Sequence, residues 1–427
     1  MRRTGKLSWA AVCGVGLGLV VVGCGGGSTA APGVTKTSVE IGSHQPLTGP
    51  AAPGYSEIAP ASLAFFKYLN AQGGVNGRKI NYTYKDDVYN PTNTVNVVKQ
   101  LVLQNKVFGI FNGLGTPTHT KVVDFLNSEK VPDLFVASGC QCWNDASAHP
   151  YTFGWQTDYV VEGKILGQYV QQHFAGKKIA YFFQNDDFGQ GGVKGLDMEI
   201  PKSAVVSRQP YQPTDTNVAP QLSAIKRSSA QVLVSFSIPA FTALAELNAV
   251  KLGFTPQFVV SNVGSDPTTV GGLLKSFSKG QAGTALMQGM VTDYYLPSTG
   301  DTSNPWIALF KKIHDQYDAG APFDGNVEYG MAAAYTFAQA LKAAGSKPTR
   351  QSIVKAVETS DFTGPGLVPF RYSSSSHAGY TGVQIGTITN GTLVLASTPL
   401  TTDDGAGPIT PYTKPQPPPG ANGVVHP

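Results

Sequence analysis

Short apolar runs and amphipathic segments trade places along almost the whole chain, and that rhythm leaves few folds open. SVEIGSHQ (38–45) reads as a strand running into a loop, and in APASLAFFKYLN (59–70) apolar residues recur at helical spacing. INYTYKDD resumes strand alternation and NTVNVVKQLVLQ is a helix. KVFGIFNGLG, HTKVVDFLNSEK and VPDLFVAS follow as strand, helix and buried strand. Apolar strands with few polar interruptions, alternating with amphipathic helices, call for a parallel sheet covered on both faces. After PYTFGWQTDY, read as a connecting strand, the rhythm restarts. VVEGKILGQYVQQHF, KKIAYFFQNDDFGQG, SAVVSRQPY, TNVAPQLSAIKRSS, AQVLVSFSIP, FTALAELNAVKLGF and TPQFVVSNVG make a second α/β unit. Residues 281–400 add strand-like GTALMQGMVTDYYL, helices around PWIALFKKIHDQY, VEYGMAAAYTFAQALKAAG and SIVKAVET, and two closing strands in GYTGVQIGTITNGTLVLAS. That section is too short and mixed to stand alone. It completes the other two, with the chain crossing between lobes more than once.

The two ends read differently. MRRTGKLSWAAVCGVGLGLVVVG has Arg2, Arg3 and Lys6 in front of an apolar run that falls short of the roughly 20 residues a membrane-spanning helix needs. It is expected to be an export signal over 1–23. Gly23 before Cys24 fits a cleavage site resembling a bacterial lipobox, with Val22 where Ala or Ser is usual, so Cys24 is the expected lipidation site. The competing reading is a plain secretory signal. Residues 24–37, rich in Gly and Ser at their start, are expected to be a flexible tether, and the Pro/Gly-rich 401–427 an extended or disordered tail.

Composition excludes several roles. Net charge is +4, but three of the basic residues lie in 1–23, and no Lys/Arg block follows, so a nucleic-acid partner has no electrostatic footprint. The sequence contains no G-x-S-x-G, G-x-x-x-x-G-K-[ST] or H-E-x-x-H motif. Its seven histidines are scattered, none paired at metal-ligand spacing. His44 alone falls at a strand end, where open α/β sheets hold ligands, and it has no visible nucleophile or orienting partner. The aspartates of NDDFGQGG could be acid and base or metal ligands, but no third oxygen converges on them, and capping of the following helix is the better account. No enzyme, cofactor or metal is expected. Cys140 and Cys142 in SGCQCWND make a poor zinc site and either close a small disulfide or stay as thiols. Thr116, Ser138, Gly139, Ser235 and Ser237 recur at the carboxyl ends of strands, beside the rings of Trp143, Trp155, Tyr159, Phe188 and Phe236. Trp143, in a polar loop, is the ring expected to be exposed. Hydroxyls, backbone donors and flat rings describe a binding cleft.

VEIGSHQPLTGPAAPGYSEIAPASLAFFKYLNAQGGVNGRKI resembles the opening of the type I periplasmic binding proteins, above all the leucine/isoleucine/valine-binding group that serves ATP-driven importers. PLTG, the turn NAQGGVNGR and NDDFGQG after a strand carry the resemblance, which runs from about Val39 to Ser397. It implies two Rossmann-like lobes joined by three crossings, with a solute trapped between them. Lobe 1 is expected over 38–155 and 260–360, and lobe 2 over 156–259 and 361–400. It also implies a permease and an ATPase as partners, and a protein held by lipid at the outer face of the cytoplasmic membrane. A ligand-sensing receptor lipoprotein of the same fold is the alternative.

Carried over by position, Thr116 matches the hydroxyl after a lobe 1 strand. Ala137, Ser138 and Gly139 match the small triplet that receives an amino acid's carboxylate. Relatives often end that triplet in Thr or Ser, carry Tyr at Phe188, have aromatics near Ser237 and Ile238, and place an acid for the ammonium near Asn262. With His44, Trp143, Trp155 and Tyr159 these form the expected ligand set. A buried ammonium without a counter-charge costs several kcal/mol. The departures at Gly139, Phe188 and Asn262 therefore imply a ligand shifted from leucine toward a less charged or aromatic small solute.

Overall fold

The apolar runs become the inner strands of two sheets in the computed structural model, which describes residues 31–414, 416–420 and 423. The export signal and Cys24 lie outside the described residues. In the first lobe the order is β1 (Ser38–Gln45), α1 (Ala52–Tyr55), α2 (Ile58–Ala71), β2 (Lys79–Asp86), α3 (Pro91–Lys99), β3 (Gly109–Phe111), α4 (Thr116–His119), α5 (Val123–Ser128), β4 (Asp133–Val136) and β5 (Thr152–Gly154). The second begins with α6 (Tyr159–His173), β6 (Ile179–Gln184), α7 (Asp187–Glu199), β7 (Val205–Tyr211), α8 (Ala219–Arg227) and β8 (Val232–Phe236). It continues through α9 (Pro239–Lys251), β9 (Gln257–Val260), α10 (Pro267–Phe277) and β10 (Val291–Tyr294). The chain then returns to the first lobe for α11 (Pro305–Tyr317), α12 (Gly325–Ala343) and α13 (Arg350–Thr359). It ends on the second with β11 (Gly382–Thr389), β12 (Thr392–Leu395), β13 (Leu400–Thr401) and β14 (Thr410–Pro411).

Five parallel strands in the order β2-β1-β3-β4-β5 form the first sheet. The second runs β7-β6-β8-β9-β10-β11-β13-β14, parallel as far as β10 and antiparallel beyond it, with β12 paired to β11. Strands β4, β6 and β8 are buried along their whole length, as helices on both faces require, whereas β2, at an edge, alternates. Helices α6 and α7 touch backbone to backbone: a Cβ on Gly163 would lie 2.3 Å from the carbonyl oxygen of Gly192, and one on Gly195 2.2 Å from that of Val160.

The chain passes between the lobes three times, at 155–158, 295–304 and 360–381. Trp155, fully buried in the first passage, packs edge-on against Tyr329 and Tyr380 at 4.8 and 5.2 Å and Tyr295 at 6.0 Å. Its indole donates to Thr336 Oγ1 at 3.0 Å. This ring therefore joins all three crossings and is not part of a ligand wall.

Three expectations change. Strands β9 and β10 belong to the second sheet, so the return to the first lobe comes after Tyr295 and not at 260. Residues 31–37, read as the end of a tether, are docked: Val34 bridges Val39, and a Cβ at Gly33 (φ 71°) would sit 2.3 Å from the Phe108 nitrogen. The segment after Thr401 is docked too. Lys164, 3% exposed, donates to Thr402 Oγ1 and the Gly405 carbonyl at 2.8 Å and to the Gly407 carbonyl at 2.5 Å. Farther on, Trp306 Nε1 donates to the Pro417 carbonyl at 2.9 Å. Proline and glycine deny this segment a helix or long strand, yet leave its carbonyls available to a buried cation. No helix among the described residues is long and apolar enough to cross a membrane.

Candidate functional site

Between the carboxyl ends of the two sheets lies a cavity of about 230 Å3. Five residues of the expected set line it: Thr116, Ala137, Tyr159, Phe188 and Asn262. Thr116 opens α4 after a Gly113–Gly115 turn, where Gly115 takes φ 105°, a conformation L side chains avoid. Its hydroxyl shares a 2.6 Å hydrogen bond with Ser138, which also accepts from the Tyr159 hydroxyl at 3.3 Å. Ser138 thus stands behind the wall and orients two of the groups in it. Tyr159 starts α6, whose cap Asp158 accepts from Val160 N at 2.7 Å. Phe188 starts α7, where Asp186 accepts from Phe188 N at 3.0 Å and Gly189 N at 3.4 Å, so the NDD aspartate is a helix cap. The Phe188 and Tyr159 rings meet at 4.7 Å.

Asn262 is held from behind by two buried acids. Its backbone N–H donates to Glu162 Oε1 at 3.1 Å, and its amide donates to Asp293 Oδ1 at 2.8 Å. Burial raises the pKa of both carboxyls, that of Asp293 to about 7.

The other expected contacts do not reach the cavity. Trp143 is fully buried, its indole donating to the Ser138 carbonyl at 3.1 Å and its ring set edge-on to His119. The loop around it is polar, but the ring turns inward under the sheet. Ser237 is buried with its hydroxyl bonded to Ser235 and Thr242, while its neighbour Ile238 turns into the cavity. Gly139 packs against the first crossing, where a Cβ would lie 2.3 Å from the Thr157 carbonyl oxygen. Cys140 and Cys142 are joined as a disulfide.

His44 lies within β1 and is fully buried in a chain of side chains below the cavity floor. Its Nδ1 meets Asp87 Oδ2 at 2.8 Å and its Nε2 meets His119 Nδ1 at 2.9 Å, while His119 Nε2 meets Asp133 Oδ2 at 2.7 Å. Burial lowers the His44 pKa, against the pull of Asp87. The network has a structural output: Asp87 also accepts from the Tyr89 N–H at 2.9 Å, fixing a turn in which Val88 (φ 60°) and Tyr89 (φ 54°) are both left-handed. Strain of this kind persists only where surroundings impose it. Tyr89 lines the cavity.

Sequence reasoning missed much of the wall: Tyr55, Tyr89, Tyr294, Tyr295 and Tyr329, with Asp266 and Glu328. Tyr89 and Tyr294 were findable, since both stand at strand carboxyl ends, where open α/β sheets place ligands. Glu328 had no such signal, because VEYGMAAAYTF reads as a core helix. Its discovery removes one premise of the expected ligand shift: the cavity has an acid, though not at Asn262. The lobes are closed around this space, with Tyr55 donating to the Val263 carbonyl, Gln184 to the Tyr89 hydroxyl at 3.3 Å, and Tyr294 to the Gly325 carbonyl at 3.1 Å. Rings, hydroxyls and two acids can grip a small polar solute. Among the described residues, no Lys, Arg, His or Cys lines the cavity.

A family profile described as periplasmic binding protein matches residues 38–392. The Leu/Ile/Val-binding protein homolog 1 of Brucella suis biovar 1 is 24% identical over 373 residues, covering 82% of this chain and 95% of that protein. A branched-chain amino acid ABC transporter protein from Thermus thermophilus, solved with bound valine, superposes with a TM-score of 0.75 at 19% identity, over 87% of this chain and 98% of its own. A fatty acid ABC transporter substrate-binding protein from Thermomonospora curvata gives 0.73 at 20% identity, over 88% and 95%.

Proposed function

Because the chain belongs to the periplasmic binding protein family, non-catalytic solute-binding proteins here related to the Leu/Ile/Val binders of ABC importers, we propose that it captures an amino-acid-sized solute between its lobes. It delivers that solute to the permease and ATPase of an importer. The observation that carries this reading is the cavity itself. Thr116, Ala137 and Tyr89 approach it from one lobe and Tyr159, Phe188 and Asn262 from the other, so one solute bonds both halves and favours their closure. At about 230 Å3 the space is below the ~300–1,000 Å3 of common ligand pockets, which favours a short solute over a long acyl chain. The aromatic wall leaves room for a ring-bearing amino acid as well as an aliphatic one.

Native mass spectrometry of protein taken directly from cells, followed by titration of the co-purified compound into stripped protein, tests this. One small solute per chain is expected, with a smaller radius of gyration in solution on binding. A chain that carries no solute and binds none, or that chemically converts it, overturns the reading.

Anchoring belongs to the same proposal. Lipid on Cys24 would hold the folded body at the outer face of the cytoplasmic membrane, with Gly25–Ala30 as the remaining span before the docked residues. Replacing Cys24 with alanine is expected to move the protein from the membrane fraction to the medium or periplasm. Unchanged membrane retention would remove the anchor.

A further inference from the structure

A second cavity of about 230 Å3 lies at the opposite end of the second sheet, where β9 and β10 begin. The far ends of the same two strands lead to Asn262 and Tyr294 in the interlobe space. Its walls are the last turns of α9, the 254–258 connection and the 286–290 segment. Helix α9 contributes Glu246, Ala249 and Val250, three residues at the spacing of one helix face. Most of the lining is apolar: Val250 is 55% exposed, Phe254 and Leu286 are half-buried, and Met290 is buried. Glu246 is the only formally charged side chain among the described residues that line it. It is 4% exposed, and no hydrogen bond or ion pair reaches its carboxyl. Burial pushes its pKa up to about 8, and no charged side chain of α8, α10 or its own helix acts on it. The carboxyl oxygens are not sealed beneath other protein atoms and stay open to the cavity.

A second polar group narrows the chemistry. Gln257 opens β9, and its side-chain nitrogen donates to the Phe258 and Gly289 carbonyls, both at 2.9 Å. Those bonds fix the orientation of the amide and leave its oxygen without a donor. The cavity thus combines unpaired acceptor oxygens, a single acidic group and an apolar wall, with Thr255 and Gln288 exposed at its rim. A carboxylate or phosphate would bring only more acceptors and like charge, whereas a cation with N–H donors complements what is there. We infer that this cavity is a second ligand site, separate from the interlobe space, which takes a small alkylammonium compound. Its N–H groups bond Glu246 and the Gln257 oxygen, and its hydrocarbon body lies against Val250, Phe254 and Leu286. Every wall belongs to the second lobe, so occupation of this site does not require the lobes to close.

Two-dimensional amide NMR titration of the whole protein at pH 8 tests this. The probes are 3-methylbutylamine, 3-methylbutan-1-ol and 3-methylbutanoate, which present similar hydrocarbon bodies with different head groups. The amine is expected to bind about 10–100-fold more tightly than the alcohol, and the carboxylate more weakly than either. Shifts caused by the amine should fall on 246–258 and 286–290, the Gln257 side-chain amide included, and not on Thr116, Phe188 or Asn262. Glu246→Gln, nearly the same shape, should bring the amine down to the affinity of the alcohol. An amine that causes no shifts, or shifts confined to the interlobe residues, overturns the inference. So does equal affinity for amine and alcohol, and none of these results depends on how the variant folds. A folded Glu246→Gln protein that keeps full affinity for the amine overturns it as well. Failure on any of these counts leaves the interlobe solute reading standing, because that reading rests on the other cavity.

Discussion

Replacing Trp155 with alanine is expected to cost about 3–5 kcal/mol of stability. The ring has no exposure and touches aromatic side chains from each place where the chain passes between lobes: Tyr295 from the second, and Phe370 and Tyr380 from the third. The backbone repeats the connection, since Tyr380 N donates to the Trp155 carbonyl at 3.1 Å and Leu367 N to the Tyr295 carbonyl at 2.8 Å. Alanine would leave a void at the one point where the three passages are packed together, and would leave the Thr336 hydroxyl without its indole donor. Trp155→Phe keeps most of the ring packing and loses the indole hydrogen bond, so a cost of about 1–2 kcal/mol is expected. Urea unfolding monitored by circular dichroism measures both. An alanine variant within about 1 kcal/mol of the unaltered protein would show that the crossings hold without this ring.

Trp155 also marks where the sequence was legible and where it was not. Periodicity located the helices and strands because each has one apolar face or none that is polar: APASLAFFKYLN became α2 almost residue for residue, and GYTGVQIGTITNGTLVLAS became the β11–β12 hairpin. The lobes followed from the same alternation. What alternation cannot encode is which way a lone ring turns in a connection. Trp143 and Trp155 stand among polar neighbours, and both are buried by residues more than a hundred positions away or by the underside of their own sheet. Positions tied to strand ends fared better: Thr116, Ala137, Tyr159 and Phe188 reach the cavity because a strand end or a helix start fixes their direction. Glu328 was hidden for a different reason. Its helix looks like core on both sides, and only the missing partners of its carboxyl, a fact of three dimensions, set it apart.

Ending the chain at Pro399 is expected to lower stability by about 2–4 kcal/mol and to promote aggregation. The composition of 401–427 argues for a dispensable tail, but its first turn performs two tasks. Thr402, Gly405 and Gly407 present their acceptors to the Lys164 ammonium, and Asp403 Oδ1 holds that loop in shape by accepting from Gly405 N at 3.0 Å and Gly407 N at 2.9 Å. A lysine 3% exposed needs such partners, and truncation would strip them all while opening a path for water, so the loss falls short of a fully stranded charge. The second task is at the sheet edge. Val383 and Gly382 of β11 pair with Leu400 and Thr401, and without β13 that edge is bare for pairing with another chain. A shorter truncation after Tyr412 separates these tasks from the remaining one. It keeps the Lys164 clasp and the covered edge and removes, among the described residues, the Trp306–Pro417 bond and the packing of Gly423 against Leu309, where the tail reaches from the second lobe to α11 of the first. That variant should lose clearly less than the truncation at Pro399, because Lys164 keeps its partners and β11 keeps β13. If the two truncations lose the same stability, the clasp around Lys164 is not what secures the end of the chain.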